Sequence, residues 1–349
     1  MVLLDAMKGC LFDLEQLLFL NNLIDIDIDF LCIITASAVR PGGPKSLIRS
    51  FGERMKKCLS NLMMFLGIIS LCLVIPMTAF GKIKWAGCGI SKKAYMTEVS
   101  KAFEKKTNIR IELAGGGATK GIRDTAAGIT DMGGSCRHLI LNKAEKGVRL
   151  YPVAWDAIVA IVNPRNSVNS ITVMNLKKVF SGEINNWRQL GGENKPIAVF
   201  VRKGQISGVG MMGRELIFGN PTAKFVAQQE FKSSGPLEKA IEKDKYAIGL
   251  TGISSAKKRR VKVLALNGIM PSVDNIASGK YKLYRPLYLV APKKPTSEVK
   301  KFLKFVRSPE GQAVIKAQGT VTLKQGKRLW KPYREHMKKV VGDKKGIFD

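Results

Sequence analysis

The chain has 349 residues, with 58 Lys and Arg against 27 Asp and Glu, for a formal charge of +31. That length holds two lobes of ordinary domain size, and a positive excess of this kind creates a field that concentrates anions. There is no recognition-helix motif, no zinc knuckle and no basic stripe interleaved with aromatics, so the charge does not read as a nucleic-acid footprint.

Residues 1–54 carry an apolar–acidic alternation over 23–30 that is unlike anything downstream. They read as a doubtful N-terminal extension, a start-site error upstream of Met55. Met55-Lys56-Lys57, the apolar run 62–76 and the small residues Ala79 and Gly81 form the three-part layout of a cleavable signal peptide over 55–81. The apolar run is too short for a membrane span, which needs about 20 residues. The first 81 residues hold seven basic and seven acidic side chains, so the whole charge excess stays with the exported part. Of six cysteines, Cys10 and Cys32 fall in the extension and Cys58 and Cys72 in the signal, which leaves Cys88 and Cys136. An exported pair is a disulfide candidate, with two free thiols as the alternative.

A strand is expected over 82–86, ending in Gly87-Cys88-Gly89-Ile90, with Ser91 capping a helix over 92–106 whose apolar residues fall at helical spacing. A strand over 109–113 runs into the loop Gly115-Gly116-Gly117 and a helix from about Thr119 to Ala127. Glycines let such a loop turn with positive φ, and the free amides and dipole at the following helix start favour an oxyanion. A third short strand leads through Gly134-Ser135-Cys136-Arg137-His138. This order implies parallel strands with helical crossovers, and ligands beyond their carboxyl ends. A long apolar strand follows over 153–163, then a helix over 173–180 capped by Thr172. A strand over 197–201 enters the basic loop from Arg202 to Gly210, and a helix continues to about Phe218. A helix over 236–243, strands over 247–250, 261–266 and 284–290, and one long final helix from Thr296 or Ser297 to about Gln318 complete the pattern.

With these elements placed, the chain resembles the periplasmic phosphate-binding proteins of ABC transporters, which have the type 2 periplasmic binding protein fold. The resemblance rests on the glycine loop at 115–121, Asp131-Met132-Gly133-Gly134-Ser135, the run from Trp155 to Asn163, Phe180-Ser181-Gly182-Glu183-Ile184-Asn185-Asn186-Trp187, Ser207-Gly208 after a basic pair, and Ala247-Ile248-Gly249-Leu250. It implies an α/β architecture of two lobes with a hinged ligand cleft. One lobe would comprise 82–154 and 252–349, the other 155–251, with crossings near Trp155 and Thr251.

By the same resemblance the anion would be held by Gly89, Ile90 and Ser91 in the first loop, and by Gly117, Ala118 and Thr119 in the second. Ser135, Cys136 and Arg137 would serve from the third. Ser207, Gly208 and Val209 would serve from the fourth, with Arg202 or Lys203 supplying charge. Many family members place an Asp in the third loop to accept the proton of hydrogen phosphate. Cys136 stands there in this chain, which leaves phosphate first and arsenate, sulfate, molybdate or an organic anion behind it.

No Walker spacing, nucleophile elbow or metal-ligand cluster accompanies these loops, so the chain reads as a binder with no cofactor and no metal. Asp156 reads as a structural or hinge residue and His336 as an isolated surface histidine. The implied function is capture of an inorganic oxyanion in the periplasm by a monomer that delivers it to an inner-membrane permease. An anion sensor or a cationic surface-attachment protein on the same fold is the alternative.

Overall fold

A computed structural model describes residues 81–343; the extension, the signal up to residue 80 and the four cysteines within them lie outside the described residues. The chain begins with parallel β–α–β–α–β winding: β1 (Lys82–Gly87), helix α1 over 89–107, β2 (Arg110–Ala114), α2 (Ala118–Ala126) and β3 (Met132–Ser135). β1 lies between β2 and β3 and runs parallel to both. A strand that continues into a helical crossover can only return parallel, which is why the glycine loops collect at one sheet edge.

β4 (Val148–Val162) is buried almost throughout from Val153 onward, as a central strand covered on both faces should be. It begins five residues before the apolar run, because Arg149, Tyr151 and Pro152 interrupt the hydrophobic pattern without stopping the pairing to β11 (Tyr284–Pro292). Its first part, through Ala157, pairs antiparallel with β11; its last part, from Ile158, pairs antiparallel with β8 (Ala247–Gly252). Beyond β8 the second half of the sheet continues with β6 (Ala198–Arg202) and β7 (Gln229–Phe231), giving the order β2-β1-β3-β11-β4-β8-β6-β7. Two sheet halves that share one long strand are the expected two-lobed α/β architecture. Around the second half lie α3 (Val173–Ser181), α4 over 208–218, α5 (Ser234–Ile241) and α6 (Ile253–Ala256). The caps of α3 follow expectation: Thr172 accepts from the Asn175 amide at 3.0 Å, and Gly182 ends it in the left-handed region. A short helix α7 (Val273–Ala277) precedes β11.

The expected long final helix is two helices, α8 (Ser297–Arg307) and α9 (Pro309–Ala317). Pro309 lacks an amide hydrogen and pushes Ser308 out of the helical region (φ −69°, ψ 162°), so the apolar periodicity continues through a corner. A further helix, α10 (Trp330–Val341), lay outside the expected elements. It is strongly basic and buries only Tyr333 and Met337 among its residues. It docks by aromatic contact: the Trp330 and Trp155 rings are 4.5 Å apart. Among the described residues, no helix is long and apolar enough to cross a membrane.

Among the buried ionic groups that join the halves, two involve β4 and α5. Where β4 changes partner, Asp156 stands directly opposite Arg285 of β11, and both are fully buried. The Asp156 carboxylate accepts from the Ser254 hydroxyl at 2.7 Å, the Ser254 amide at 3.1 Å and Arg285 Nη2 at 3.4 Å. Asp156 is therefore structural, as read from the sequence. On α5, the Glu238 carboxylate is buried between Lys93 of α1 at 3.1 Å and Arg259 at 3.0 Å, and accepts from Thr251 and Ser255.

Removing one member of a buried pair leaves the other charged and uncompensated. Asp156→Asn is therefore expected to cost about 3–5 kcal/mol of unfolding free energy, read from urea transitions; an unchanged midpoint would remove the pair from this role. Burial alone would push the Glu238 carboxyl up, but the Ser255 and Thr251 hydrogen bonds and the Lys93 charge outweigh it and hold it below 4.5. A carboxyl depressed on folding stabilises fully above its unfolded value, and that stabilisation is lost as pH falls through the folded value. Glu238→Gln should thus lower the urea midpoint at neutral pH, and the gap to the parent should shrink on acidification below pH 4.5. A pH-independent gap would contradict it.

Candidate functional site

The first loop is built by a sulfur cap. Cys88 leaves β1 in an extended conformation, and its Sγ accepts from the Ser91 amide at 3.2 Å, so α1 starts at Gly89. The cap expected at Ser91 is thus supplied three residues earlier. Ser91 is fully buried, with its hydroxyl 3.1 Å from Cys88 Sγ and donating to the Ser135 carbonyl at 3.3 Å. Gly89 is exposed and Ile90 buried. In the second loop Gly117 takes φ +96°, which an L side chain rarely adopts. Its amide bonds to the Gly87 carbonyl at 3.1 Å, and α2 begins at Ala118.

The third loop follows β3, with Ser135, Cys136 and Arg137 all buried. The Arg137 guanidinium is committed: it forks onto Glu145 at 2.6 and 3.1 Å and donates to the His138 and Ile206 carbonyls at 2.7 and 3.0 Å. Thr119 Oγ1 also donates to the Ile206 carbonyl, at 2.8 Å. Both side chains therefore tie the first sheet half to the fourth loop.

That fourth loop follows β6. Arg202 is buried and donates to the Phe231 and Lys232 carbonyls at 3.2 and 2.7 Å and to Ser234 Oγ at 3.0 Å. Lys203 is exposed, with its amide bonded to the Phe231 carbonyl. The two basic candidates are thus physically unlike: only Arg202 reaches the second loop, its Nη2 lying 3.6 Å from where a Cβ on Gly117 would be. Ser207 precedes α4, and its buried hydroxyl has no hydrogen-bond partner among the described residues. Val209 is buried and lines a small cavity with Arg202, Phe180, Phe200 and Phe225.

Three helix starts converge on Cys136. A Cβ on Gly208, the first residue of α4, would stand 2.5 Å from Cys136 Sγ and 2.9 Å from Ala118 Cβ at the start of α2. The start of α1 reaches the same loop through the Cys88 amide on the Gly134 carbonyl at 3.0 Å and the Ser91 hydroxyl on the Ser135 carbonyl at 3.3 Å. Both cysteines are buried free thiols, so the disulfide weighed from the sequence is not formed in this structure. The neighbouring Cys88 thiol lowers the Cys136 thiol against the opposing effect of burial, with the Arg285 and Arg202 charges helping, while burial pushes Cys88 up. Burial likewise lowers Arg202 from its usual value.

The sequence reading omitted Arg285, whose Nη1 donates to the carbonyls of Cys136 at 3.1 Å and Gly208 at 3.4 Å. Its signal was a lone arginine inside an apolar strand. His138 and His336 both meet Glu215: His138 Nε2 lies 3.0 Å from its carboxylate and His336 Nε2 3.3 Å from its carbonyl. His336 is half-buried, so the expectation of an isolated surface histidine is corrected. Among the described residues no group of three or more His, Cys, Asp or Glu could hold a metal. The broad surface depression lined by Tyr151, Leu303, Lys304, Arg307 and Ser308 shares no residue with these loops.

A family model described as a PBP superfamily domain matches residues 86–310. The phosphate-binding protein PstS of Borreliella burgdorferi is 29% identical over 228 residues, spanning 62% of this chain and 81% of that protein. PstS of Bacillus subtilis is 24% identical over 249 residues, spanning 70% and 81%. A substrate-binding protein with bound phosphate from Clostridium perfringens superposes with a TM-score of 0.63 at 25% identity, covering 69% of this chain and 99% of that one. An ABC-type phosphate transport receptor from Vibrio cholerae gives 0.55 at 25% identity, covering 69% and 99%. The resemblance drawn from the loop motifs is borne out, and with a family match over more than half its length the chain belongs to the PBP superfamily.

Proposed function

We propose that this chain is a periplasmic solute-binding protein that captures inorganic phosphate and delivers it to the inner-membrane permease of an ABC transporter. The observation that carries this reading is the convergence of the starts of α1, α2 and α4 on Cys136, beside the unpartnered Ser207 hydroxyl and the buried Arg202 guanidinium. Helix starts present free amides and partial positive charge, which suit an oxyanion without any covalent step. The relatives named as phosphate-binding proteins support phosphate over other oxyanions.

In this reading the lobes 82–154 with 252–349 and 155–251 turn about β4 and β8, near Trp155 and Thr251, after export behind the signal at 55–81. The monomer closes by bringing Ser207 and Gly208 onto Ala118, Thr119 and Cys136. Amides of residues 89–91, 117–119 and 135–137 surround the anion from one lobe, and those of 207–209 from the other. Arg202 supplies the charge in preference to Lys203, because it is buried beside Gly117 and a guanidinium fork matches two phosphate oxygens. Cys136 stands where a carboxylate would accept the phosphate proton. Discrimination against sulfate then depends on a weaker acceptor, since only a protonated anion would satisfy a group that is costly to leave unpaired.

Calorimetric titration of the chain, stripped of ligand, is expected to show one-to-one phosphate binding that sulfate does not displace; no heat with phosphate would overturn the reading. Arg202→Ala removes a charged hydrogen-bond donor and should weaken binding by about 10- to 100-fold. Ser207→Ala and Thr119→Ala should each cost about two- to tenfold. Gly208→Ala should abolish tight binding while leaving helix content unchanged, because its methyl would occupy the contact between lobes. Unchanged affinity in all four variants would place the site elsewhere.

A further inference from the structure

We propose that Cys88 and Cys136 are an oxidisable pair that closes to a disulfide when the lobes part, and that the closed, phosphate-bound form shields both thiols. The shielding half rests on the phosphate reading above; the disulfide half stands on geometry alone.

The register of the first sheet half sets the pair. Gly87 of β1 lies opposite Gly134 of β3, and the Cys88 amide continues the pairing to the Gly134 carbonyl at 3.0 Å. The cysteines therefore leave adjacent parallel strands one and two residues beyond the last paired position. Neighbouring strands run about 4.8 Å apart, and a disulfide needs Cα atoms about 4.4–6.8 Å apart. From the start of α1, Ser91 Oγ lies 3.1 Å from Cys88 Sγ and donates at 3.3 Å to the carbonyl of Ser135, the residue before Cys136.

Access is what the closed form withholds. Cys88 is 3% exposed and Cys136 1%. Cys136 Sγ is covered by Ala118 of its own lobe and by Gly208 of the other, and Arg285 clasps the carbonyls of both Cys136 and Gly208. Separation of the lobes lifts Gly208 away and leaves the sulfur open to small oxidants. Cys136 is the attacking sulfur, since its neighbours favour the thiolate, the form that reacts.

Hydrogen peroxide serves as a two-electron oxidant of the periplasmic kind. The Cys136 thiolate attacks one peroxide oxygen and the O–O bond breaks; hydroxide leaves and takes up a proton as water, giving a sulfenic acid. The Cys88 sulfur then attacks the Cys136 sulfur. The S–O bond breaks, and the displaced hydroxide takes up the Cys88 proton as a second water. Two thiols lose two electrons and two protons, and peroxide becomes two waters.

The test treats the reduced full chain with hydrogen peroxide, with and without saturating phosphate, then blocks residual thiols in denaturant and digests with trypsin without reductant. The expected product joins peptide 85–92, which holds Cys88, to peptide 124–137, which holds Cys136, and reduction separates them. Phosphate should slow its appearance by about tenfold or more, since oxidation then draws only on the open population. Gly208→Ala, which keeps the lobes from meeting, should speed it without any ligand. Absence of the joined peptides in the phosphate-free arm overturns the pair. Equal rates with calorimetrically verified phosphate bound, together with an unchanged rate in Gly208→Ala, overturn the shielding. If calorimetry shows no phosphate binding, the transport reading fails alone, and the phosphate-free arm and Gly208→Ala still decide the disulfide and its gate.

Discussion

A guanidinium taken out of water is costly unless its donors are answered, and Arg285 is fully buried, with Nη1 and Nη2 paired and Nε without a hydrogen-bond partner among the described residues. Its answers come from three directions: the Asp156 carboxylate on the shared strand, the Cys136 carbonyl in the third loop, and the Gly208 carbonyl in the fourth. One side chain thereby joins the point where β4 changes partners to the two loops that face each other across the cleft. Asp156 in turn holds Ser254 at the start of α6, just after β8 leaves the second half of the sheet. The position of the loops is thus coupled to the strands that cross between lobes, which is the arrangement a hinged binding protein requires.

The site is built mainly from backbone, with its charged side chains assigned to different tasks. Arg137 spends its donors on Glu145 and on carbonyls of the third and fourth loops, so it acts as a strut. Arg202 is braced by carbonyls and a serine of its own lobe while its tip approaches Gly117. The surface lysines make the long-range field. Such a field speeds encounters with anions but is screened by salt, whereas amides at helix starts act at contact distance and select by shape. The overall charge of +31 and the nearly uncharged rim of helix starts are therefore complementary parts of one device.

Where the family resemblance leads one to expect a carboxylate, the third loop carries a thiol, and the two groups differ in what they can do. A carboxylate is a permanent acceptor; Cys136 is a group whose charge depends on Cys88, Arg285 and Arg202 together. Sulfur also caps α1 through Cys88, where an oxygen side chain ordinarily would. The two sulfurs leave neighbouring strands, with the Cys88 amide bonded to the Gly134 carbonyl two residues before Cys136.

Local physics was legible in the chain. The β–α–β–α–β winding, the Thr172 cap, the glycine loop and the order of the four loops all depend on residues within a few positions of each other, where helical spacing, turn chemistry and capping operate. Their order sufficed for the fold and for the family. What escaped the reading was decided by partners distant in sequence. Arg285 and Asp156 are 129 residues apart, and an arginine within an apolar strand is uninterpretable until its carboxylate is located. α10 carries Trp330, Tyr333 and Met337 at helical spacing, and it docks on Trp155, far away in the sequence. The Ser308–Pro309 corner was written in the sequence, yet apolar periodicity runs straight through it. Arg202 and Lys203 are adjacent and chemically alike; only packing buried the first and left the second in water. Local backbone preferences were enough for the fold class and for the order of the strand-to-helix loops, because both follow from residues close in sequence. Only packing separated the side chains that act as struts from those left free, because it brings their acceptors, Glu145 and the Ile206 carbonyl for Arg137 and the Phe231 and Lys232 carbonyls for Arg202, from other parts of the chain.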